Sequence, residues 1–246
     1  MDVSAISSTE DDDIARAVMI KDIARQQLVK LGAAGLSLEA VARDGGLPVA
    51  DVETTFAHRD DLLTALVIDA YDASGEAMER ADAAAAAAAA AGGSGGARLL
   101  AVTRALRQWS FDNPAEFTLI YGSPVPGYHA PQDTVPSASR TPAVLAGIVR
   151  SALEAGELTP PRRAVPGPPL LLPEAVQLFG GAPGAPFSDV VERGIVLWST
   201  LIGLLVFQVF SRTHDSVRDE AAFFDYAIAV SAESIGLVVP LAESTD

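Results

Sequence analysis

The stretch from Leu36 to Leu63, LSLEAVARDGGLPVADVETTFAHRDDLL, decides the fold of the N-terminal part of this chain. Ser37 can cap a helix start through its side-chain hydroxyl. Apolar residues follow it at the three-and-four spacing of a helix, at Leu38, Val41 and Ala42. The triplet Asp-Gly-Gly at 44–46 then ends this helix, because glycine tolerates the positive φ of a tight turn.

A second short helix is expected directly after this turn. Leu47 is expected to anchor the turn through its apolar side chain, and Pro48 suits the first turn of a new helix. Its apolar face consists of Val49, Val52 and Phe56. A third helix begins near Asp60 and carries a buried stripe of Leu62, Leu63, Leu66, Val67 and Ala70. Two short helices joined by a glycine turn form a helix-turn-helix, which the stretch therefore predicts.

This stretch resembles the DNA-binding segment of the TetR family of one-component bacterial transcription regulators. The matching residues are Leu38, Val41, Ala42, Gly46, Leu47, Val52, Phe56, Arg59, Leu62 and Leu63. Downstream, the segments NPAEF at 113–117 and YGSPVPGY at 121–128 look like the WHG-like ligand-binding domain of an actinobacterial TetR subgroup. Together the two matches cover most of the chain. The resemblance implies a homodimer whose N-terminal heads bind DNA and whose C-terminal bodies enclose a small apolar ligand.

The predicted fold is all-α, with an N-terminal helix-turn-helix domain and a larger helical ligand-binding and dimerisation domain. Residues 1–13 are expected to be a disordered acidic tail, residues 14–60 the DNA-binding domain, and residues 61–246 the ligand-binding and dimerisation domain. A first helix is expected over about 12–31. The helix from Asp60 runs into the alanines of 83–91, and GGSGG at 92–96 is expected to be a flexible linker.

The composition limits the possible classes of function. The chain has 246 residues, of which 49% are hydrophobic, and this is enough for a sizeable core. It has no cysteine, which excludes disulfides and thiol catalysis and fits a reducing cytoplasm. The net charge is −15, and residues 1–60 carry six basic and eleven acidic residues. General affinity for nucleic acid is therefore not expected, and specific binding needs a local basic patch.

The resemblance implies which residues would approach operator DNA. Ser37 and Arg59 stand at helix starts, where they could hold phosphates. Val49, Ala50, Thr54 and Thr55 would face the major groove, where threonine can contact a thymine methyl or donate a hydrogen bond. The alternative interpretation is that these six residues are ordinary surface residues without a role in DNA binding.

Glu53 departs from the TetR pattern, which usually has an aromatic residue at this position. The family also often has basic or aromatic residues where this chain has Thr54 and Thr55. A carboxylate on a face that approaches DNA phosphate is repelled by it, and Asp51 adds a second carboxylate. The chain therefore matches the family better in its scaffold than in its DNA-reading surface.

A set of aromatic residues indicates a ligand pocket in the C-terminal body. These residues are Trp109, Phe117, Tyr121, Tyr128, Phe179, Trp198 and Phe207. Aromatic residues at helical spacing are usually core, and this alternative stays open for each of them. With the resemblance to a family that encloses small effectors, they predict a largely apolar cavity in which tyrosine hydroxyls and Thr118 provide polar contacts.

The last two predicted helices carry apolar residues at three-and-four spacing. The candidate dimer-interface residues on them are Ile195, Ile202, Leu205, Val209, Phe224, Ile228 and Ile235. Two such helices pairing with two from a second copy make a four-helix interface. An intrachain core explains the same spacing, but the helix at 195–209 also has Leu201, Leu204 and Phe207 on its opposite side. A helix that is apolar all round needs two burial partners.

Catalytic chemistry has little support in the sequence. His58, His129 and His214 are far apart, and no HExxH or phosphate-binding glycine motif occurs. We predict no enzymatic activity, no metal site and no cofactor. The longest apolar run, Ile195 to Phe210, has 16 residues and is short for a membrane span. A buried helix of a cytoplasmic protein without membrane contact is therefore expected.

The predicted function is a ligand-responsive TetR-like transcription regulator, a repressor that binds palindromic operator DNA as a homodimer and is released by a small apolar effector. A different class of protein explains Glu53, Asp51 and the acidic tail: a TetR-fold ligand-binding or protein-interaction module that no longer binds DNA. A third alternative is an enzyme that uses the pocket.

Overall fold

Every regular element in the described part of the chain is helical, as the sequence predicts. The computed structural model describes residues 3–89, 94–161, 165, 170–213 and 216–241. The first six helices are α1 (Val3–Leu31), α2 (Leu38–Gly45), α3 (Val49–Thr55), α4 (Arg59–Ala89), α5 (Gly95–Asp112) and α6 (Pro114–Tyr121). They are followed by α7 (Val135–Ala138), α8 (Arg140–Glu154), α9 (Pro173–Phe179), α10 (Val190–Val209) and α11 (Glu220–Glu233).

The predicted helix-turn-helix is confirmed in α2 and α3. The Ser37 Oγ accepts a hydrogen bond from the Ala40 N–H at 3.2 Å and so caps α2. The helix ends at Gly46, whose φ of 63° lies in the left-handed region that favours glycine. Pro48 then precedes α3 and fixes the direction in which that helix begins.

The chain forms two units that each have their own core. The first unit comprises Met1–Asp72 and Asn113–Ala138, and the second comprises Ala73–Asp112 and Ser139–Asp246. This division differs from the predicted boundary at residue 60. The first half of α4 belongs to the helix-turn-helix unit because Leu62, Leu63 and Leu66 are part of its core. α6 joins the same unit because it packs against α1.

The core of the first unit brings together one face of each of its first four helices. Its buried members are Ile20, Ala24, Leu28, Leu36, Leu38, Val41, Ala42, Val52, Leu62, Leu63 and Leu66. Leu119, Val125 and Tyr128 pack against this core from α6 and the loop that follows it. The loop is therefore held against the core of the helix-turn-helix unit.

The second unit is organised around α5, which packs against α8, α10 and α11. Gly95 and Gly96 begin α5 and are buried. A Cβ built on Gly96 would lie 1.9 Å from the carbonyl oxygen of Val238, so only glycine permits this approach of two backbone segments. The GGSGG segment is thus a tightly packed helix start at residues 95 and 96, whereas the sequence predicts a flexible linker. Residues 92 and 93 lie outside the described part.

The N-terminal helix begins earlier than the sequence predicts. α1 starts at Val3, while the sequence indicates a disordered tail to residue 13 and a helix from about residue 12. The polar residues at 4–13 include good helix formers such as Glu10, and helix propagation costs less than initiation once α1 is anchored by Ile20 and Ala24.

Candidate DNA-binding and ligand-binding sites

The helix α3 presents its polar face outward. Val52 is fully buried and fixes the orientation of the helix against the core. Ala50 and Thr54 lie on the opposite side, Asp51 and Glu53 flank them, and all four are exposed. Because Val49 is 38% exposed, it does not extend the buried stripe that the sequence predicts for α3. The predicted major-groove residues are therefore on the exposed side of α3, except that Thr55 is half-buried.

Both threonines of α3 bond to their own helix. Thr54 Oγ1 donates to the Ala50 carbonyl at 2.7 Å, and Thr55 Oγ1 donates to the Asp51 carbonyl at 3.2 Å. A hydroxyl has one proton to donate, so each threonine keeps only its acceptor lone pairs and its methyl group for another molecule.

Arg59 makes contacts that the sequence does not predict. Its Nε donates to the Leu36 carbonyl at 2.9 Å, and its Nη2 donates to the Ala33 carbonyl at 2.8 Å. Its Nη1 lies 3.5 Å from the Asp60 carboxylate. The guanidinium therefore ties the start of α4 to the chain just before α2, which is a structural use of a residue predicted to hold DNA phosphate.

The basic residues of the helix-turn-helix unit are compensated by its own carboxylates. Lys21 and Arg25 both contact Asp69, at 2.8 and 2.5 Å. Arg16 pairs with Asp13. Arg43 pairs with Asp44 at 3.1 Å, and Lys30 acts on Asp44 electrostatically. Phosphate would have to compete for these cations, which limits the electrostatic part of DNA binding.

Gln27 and Asp44 link α1 to the end of α2. The Gln27 Nε2 donates to Asp44 Oδ2 at 3.1 Å. This hydrogen bond, with help from Arg43 and Lys30, lowers the pKa of Asp44 below its ordinary value, against the opposing effect of desolvation. Asp44 is therefore an anion that holds the helix-turn-helix on α1.

A cavity of about 150 Å³ lies in the second unit between α8, α9 and α10. Among the residues the structure describes, only uncharged ones line it. They include Leu145 and Val149 of α8, Phe179 of α9, and Val191, Leu197 and Trp198 of α10. The cavity has the apolar character that a small hydrophobic ligand requires.

The structure divides the seven predicted ligand-binding aromatics. Phe179 and Trp198 line the cavity. Trp109 is buried in the second unit but is not among the lining residues, and Phe207 is 53% exposed. The remaining three, Phe117, Tyr121 and Tyr128, belong to the first unit. The sequence prediction did not identify the contribution of α8, although apolar residues at positions 145, 148, 149 and 152 mark one buried face.

The aromatic residues of the first unit form a separate cluster. Tyr121 packs edge-on against Tyr71, with ring centroids 6.0 Å apart, and lies 5.3 Å from the ring of Phe117. The hydroxyls of Tyr128 and Thr64 share a hydrogen bond at 3.0 Å. Burial, with a smaller contribution from Tyr128, raises the pKa of Tyr71. This cluster fastens α6 and its loop to α4.

Most of the predicted dimer-interface residues face the core of their own chain. Leu205, Phe224, Ile228 and Ile235 are at most 1% exposed. Ile202 and Val209 are half-buried, and only Ile195 is well exposed. The prediction that all seven face a second copy is therefore wrong for the four buried residues. Leu205, Phe224 and Ile228 lie on α10 and α11, which pack on each other and on α5, and Ile235 is buried just after α11.

A different apolar face of α10 and α11 is exposed. On α10 it contains Val196, Gly203 and Phe207, which follow helical spacing. On α11 it contains Phe223, Tyr226 and Val230. We call these six residues the outer face. Among the described residues, α10 alone has the length and mean hydropathy to cross a membrane, by composition only, and 22% of its most apolar stretch is buried in the single chain.

The sequence and structure match known regulators over nearly their whole length. Residues 99–231 match the family described as "Tetracyclin repressor-like, C-terminal domain". Over 226 residues the chain is 34% identical to HTH-type transcriptional regulators of Mycobacterium tuberculosis and Mycobacterium bovis, with 91% of this chain and 91% of each relative covered.

Solved structures share the fold. A protein described as regulatory superposes with a TM-score of 0.68 at 28% identity, covering 91% of this chain and 98% of its own. A TetR family transcriptional regulator from Thermus thermophilus superposes with a TM-score of 0.56 at 16% identity, covering 88% and 98%. At that identity the second likeness concerns the fold alone.

Proposed function

Because this chain belongs to the TetR family of transcriptional regulators, we propose that it is a ligand-responsive repressor that binds palindromic operator DNA as a homodimer. The observation that carries this proposal is the helix-turn-helix whose second helix, α3, is anchored by Val52 and exposes Ala50 and Thr54. A helix held in this way can enter a major groove while the first helix lies across the backbone.

The outer face supports the homodimer. Phe207 and Tyr226 are 53% and 58% exposed, and Val196 and Val230 on the same two helices are 57% and 50% exposed. Apolar surface of this kind on neighbouring helices marks an interaction site. A second copy of the same two helices would cover it in a four-helix arrangement with two-fold symmetry, and Gly203 would permit close approach of the α10 helices. Burial of α10 in such an interface would also explain its high mean hydropathy without insertion into a membrane.

The apolar cavity supports the ligand. A molecule enclosed by Val149, Phe179 and Trp198 would contact three different helices of the second unit and so respond to their arrangement. α4 contributes residues to both units, because the division falls between Asp72 and Ala73 within that helix. A ligand releases DNA only if it binds the DNA-incompetent arrangement more tightly, so the two affinities are reciprocally coupled.

A second function is favoured by a specific observation, the charge compensation of the helix-turn-helix unit. Lys21, Arg25 and Arg43 contact internal carboxylates, and Asp51 and Glu53 are exposed on α3. A protein that kept the fold but lost DNA binding would have this charge pattern. It would act as a ligand-binding or protein-interaction module without enzymatic activity or a cofactor.

A nuclease-protection footprint on the intergenic DNA upstream of its own gene separates the two functions. The regulator is expected to protect two inverted half-sites whose centres lie about one helical turn, or a multiple of it, apart. A folded dimer that protects no part of this DNA or of neighbouring intergenic regions would favour the module without DNA binding. Circular dichroism and sedimentation verify the folded, dimeric state in either case.

A further inference from the structure

We infer that α3 reads base edges only through hydrogen-bond acceptors, and that the operator therefore presents cytosine, through its N4 amino group, to Glu53. The inference rests on the proposed DNA binding and names the bases that this surface recognises. It concerns the choice of DNA sequence and is independent of the ligand.

The side chains of α3 provide no free donor. The helix has the sequence VADVETT, without lysine, arginine, asparagine or glutamine. Its only side-chain donors are the hydroxyls of Thr54 and Thr55, and both protons are given to helix carbonyls at 2.7 and 3.2 Å. The exposed groups left for DNA are carboxylate and hydroxyl oxygens, which accept, and methyl groups.

Glu53 has the longer side chain of the two exposed carboxylates on α3, Asp51 and Glu53, and therefore reaches farther toward a base edge. Its carboxylate is exposed beside Thr54 and stands one turn after Val49. No hydrogen bond or ion pair holds it within the part of the chain that the structure describes. Its oxygens can therefore turn toward a base edge without breaking an internal contact.

The chemistry of the major groove selects the base. Guanine presents two acceptors, N7 and O6, which a carboxylate repels, and thymine presents an acceptor and a methyl group. Adenine has an amino donor next to the N7 acceptor. Cytosine presents its N4 amino group without a neighbouring acceptor of its own, and carboxylates accept from this group. The repulsion between Glu53 and the phosphates is then offset only where a cytosine lies opposite it.

The test is selection of full-length protein on a duplex library with a randomised operator, followed by sequencing of the bound DNA. Wild-type protein is expected to enrich cytosine at one position of each half-site. Replacing that cytosine should weaken binding by roughly 5- to 150-fold, the range for one mismatched base pair. The Glu53→Gln variant should prefer adenine at the same position, because an amide pairs with both N6 and N7.

Glu39→Gln is the matched control. Glu39 is an exposed carboxylate in the first turn of α2, so this variant removes the same charge from the same unit. Both variants should bind DNA more tightly overall through the phosphate term, but only Glu53→Gln should change the preferred base.

Two results overturn the inference in distinguishable ways. If wild-type protein enriches an operator but Glu53→Gln keeps every base preference of the wild type, DNA binding stands and acceptor readout by Glu53 is wrong. If folded wild-type dimer enriches no sequence, the proposed operator binding fails, and the inference fails with it. Enrichment of cytosine by the wild type and of adenine by the variant supports both.

Discussion

The Arg59 guanidinium donates to the backbone carbonyl of Leu36 at 2.9 Å and so joins the start of α4 to the residue that leads into the helix-turn-helix. A second bond to the Ala33 carbonyl uses another nitrogen, Nη2, of the same group. A planar guanidinium with several fixed donors can satisfy both carbonyls at once, and an ammonium cannot do so in the same geometry. The residue therefore acts first on the stability of the helix-turn-helix unit.

The variant Arg59→Lys should destabilise the helix-turn-helix unit although it keeps the positive charge. We expect a loss of about 1.5–3 kcal/mol in the free energy of unfolding, the range for hydrogen bonds to a charged group. Urea unfolding followed by circular dichroism measures it. An unchanged midpoint together with weaker DNA binding would instead assign Arg59 to phosphate contact.

If the outer face forms the proposed homodimer interface, the variant Phe207→Glu should yield monomers. It would bury a carboxylate in the apolar outer face, where Phe207 is 53% exposed in the single chain. Sedimentation velocity at several concentrations measures the change. Val29→Glu is the control, because Val29 is a 72% exposed apolar residue of α1 and lies outside that face. Equal dissociation of both variants, or of neither, would argue against the outer face as the interface.

The pair Gly96→Ala and Gly147→Ala should have opposite effects on stability. Both residues are helical, but a Cβ at Gly96 meets the Val238 carbonyl at 1.9 Å, whereas a Cβ at Gly147 meets nothing within 4 Å. Gly96→Ala should cost about 1–3 kcal/mol or more, as overpacking does. Gly147→Ala should gain about 0.5–1 kcal/mol from helix propensity. Thermal unfolding gives both signs, and a stable Gly96→Ala protein would contradict the packed start of α5.

Filling the cavity should abolish binding of small apolar molecules. Saturating benzene is expected to raise the melting temperature of the wild type, because a ligand that binds only the folded state stabilises it. Ala146 lines the cavity, so Ala146→Leu should remove this shift. Ser151→Leu on the exposed side of α8 should keep it. A benzene shift that persists in Ala146→Leu would place the binding elsewhere.

Stability of the second unit should fall in acid through Asp189. Its hydrogen bond from Arg193 lowers the pKa of Asp189 below the ordinary value, more than burial raises it. The folded state then binds fewer protons than the unfolded state, so the stabilisation is complete above a pH of about 4 and disappears as the pH falls through the lowered pKa.

The variant Asp189→Asn should lose this component. It should be less stable than the wild type at neutral pH and should show a shallower decline below a pH of about 4. Urea unfolding over a pH series measures both features. Glu174→Gln, which changes an exposed carboxylate, serves as the control. Parallel pH curves for the wild type and Asp189→Asn would contradict the role of the Arg193 contact.

The helix-turn-helix could be predicted because its signals are local. Ser37, Gly46 and Val52 each act within a few residues, through a cap, a turn and a buried side chain. The choice between faces of α10 could not be predicted, because Leu205 and Phe207 are both apolar and helical spacing does not tell which one is buried. That distinction depends on tertiary packing.

The roles of Gly96 and Arg59 could not be predicted from the sequence for the same reason. A glycine-rich segment has the composition of a linker, and only the approach of Val238 shows why glycine is needed there. Arg59 stands at a position where a free cation could hold phosphate, but the carbonyl of Leu36 lies 23 residues earlier in the chain. Contacts between segments that are distant in the chain decide such roles, and these contacts cannot be predicted from residue spacing.

The most direct test of the proposed regulator is a mobility-shift titration of the purified protein on its own upstream intergenic DNA, at low and at physiological salt. We predict a complex that an unlabelled copy of this DNA displaces and that a shuffled duplex does not, with affinity that declines as salt rises. A folded dimer that gives no specific complex even at low salt would contradict operator binding and would assign the protein to the ligand-binding module.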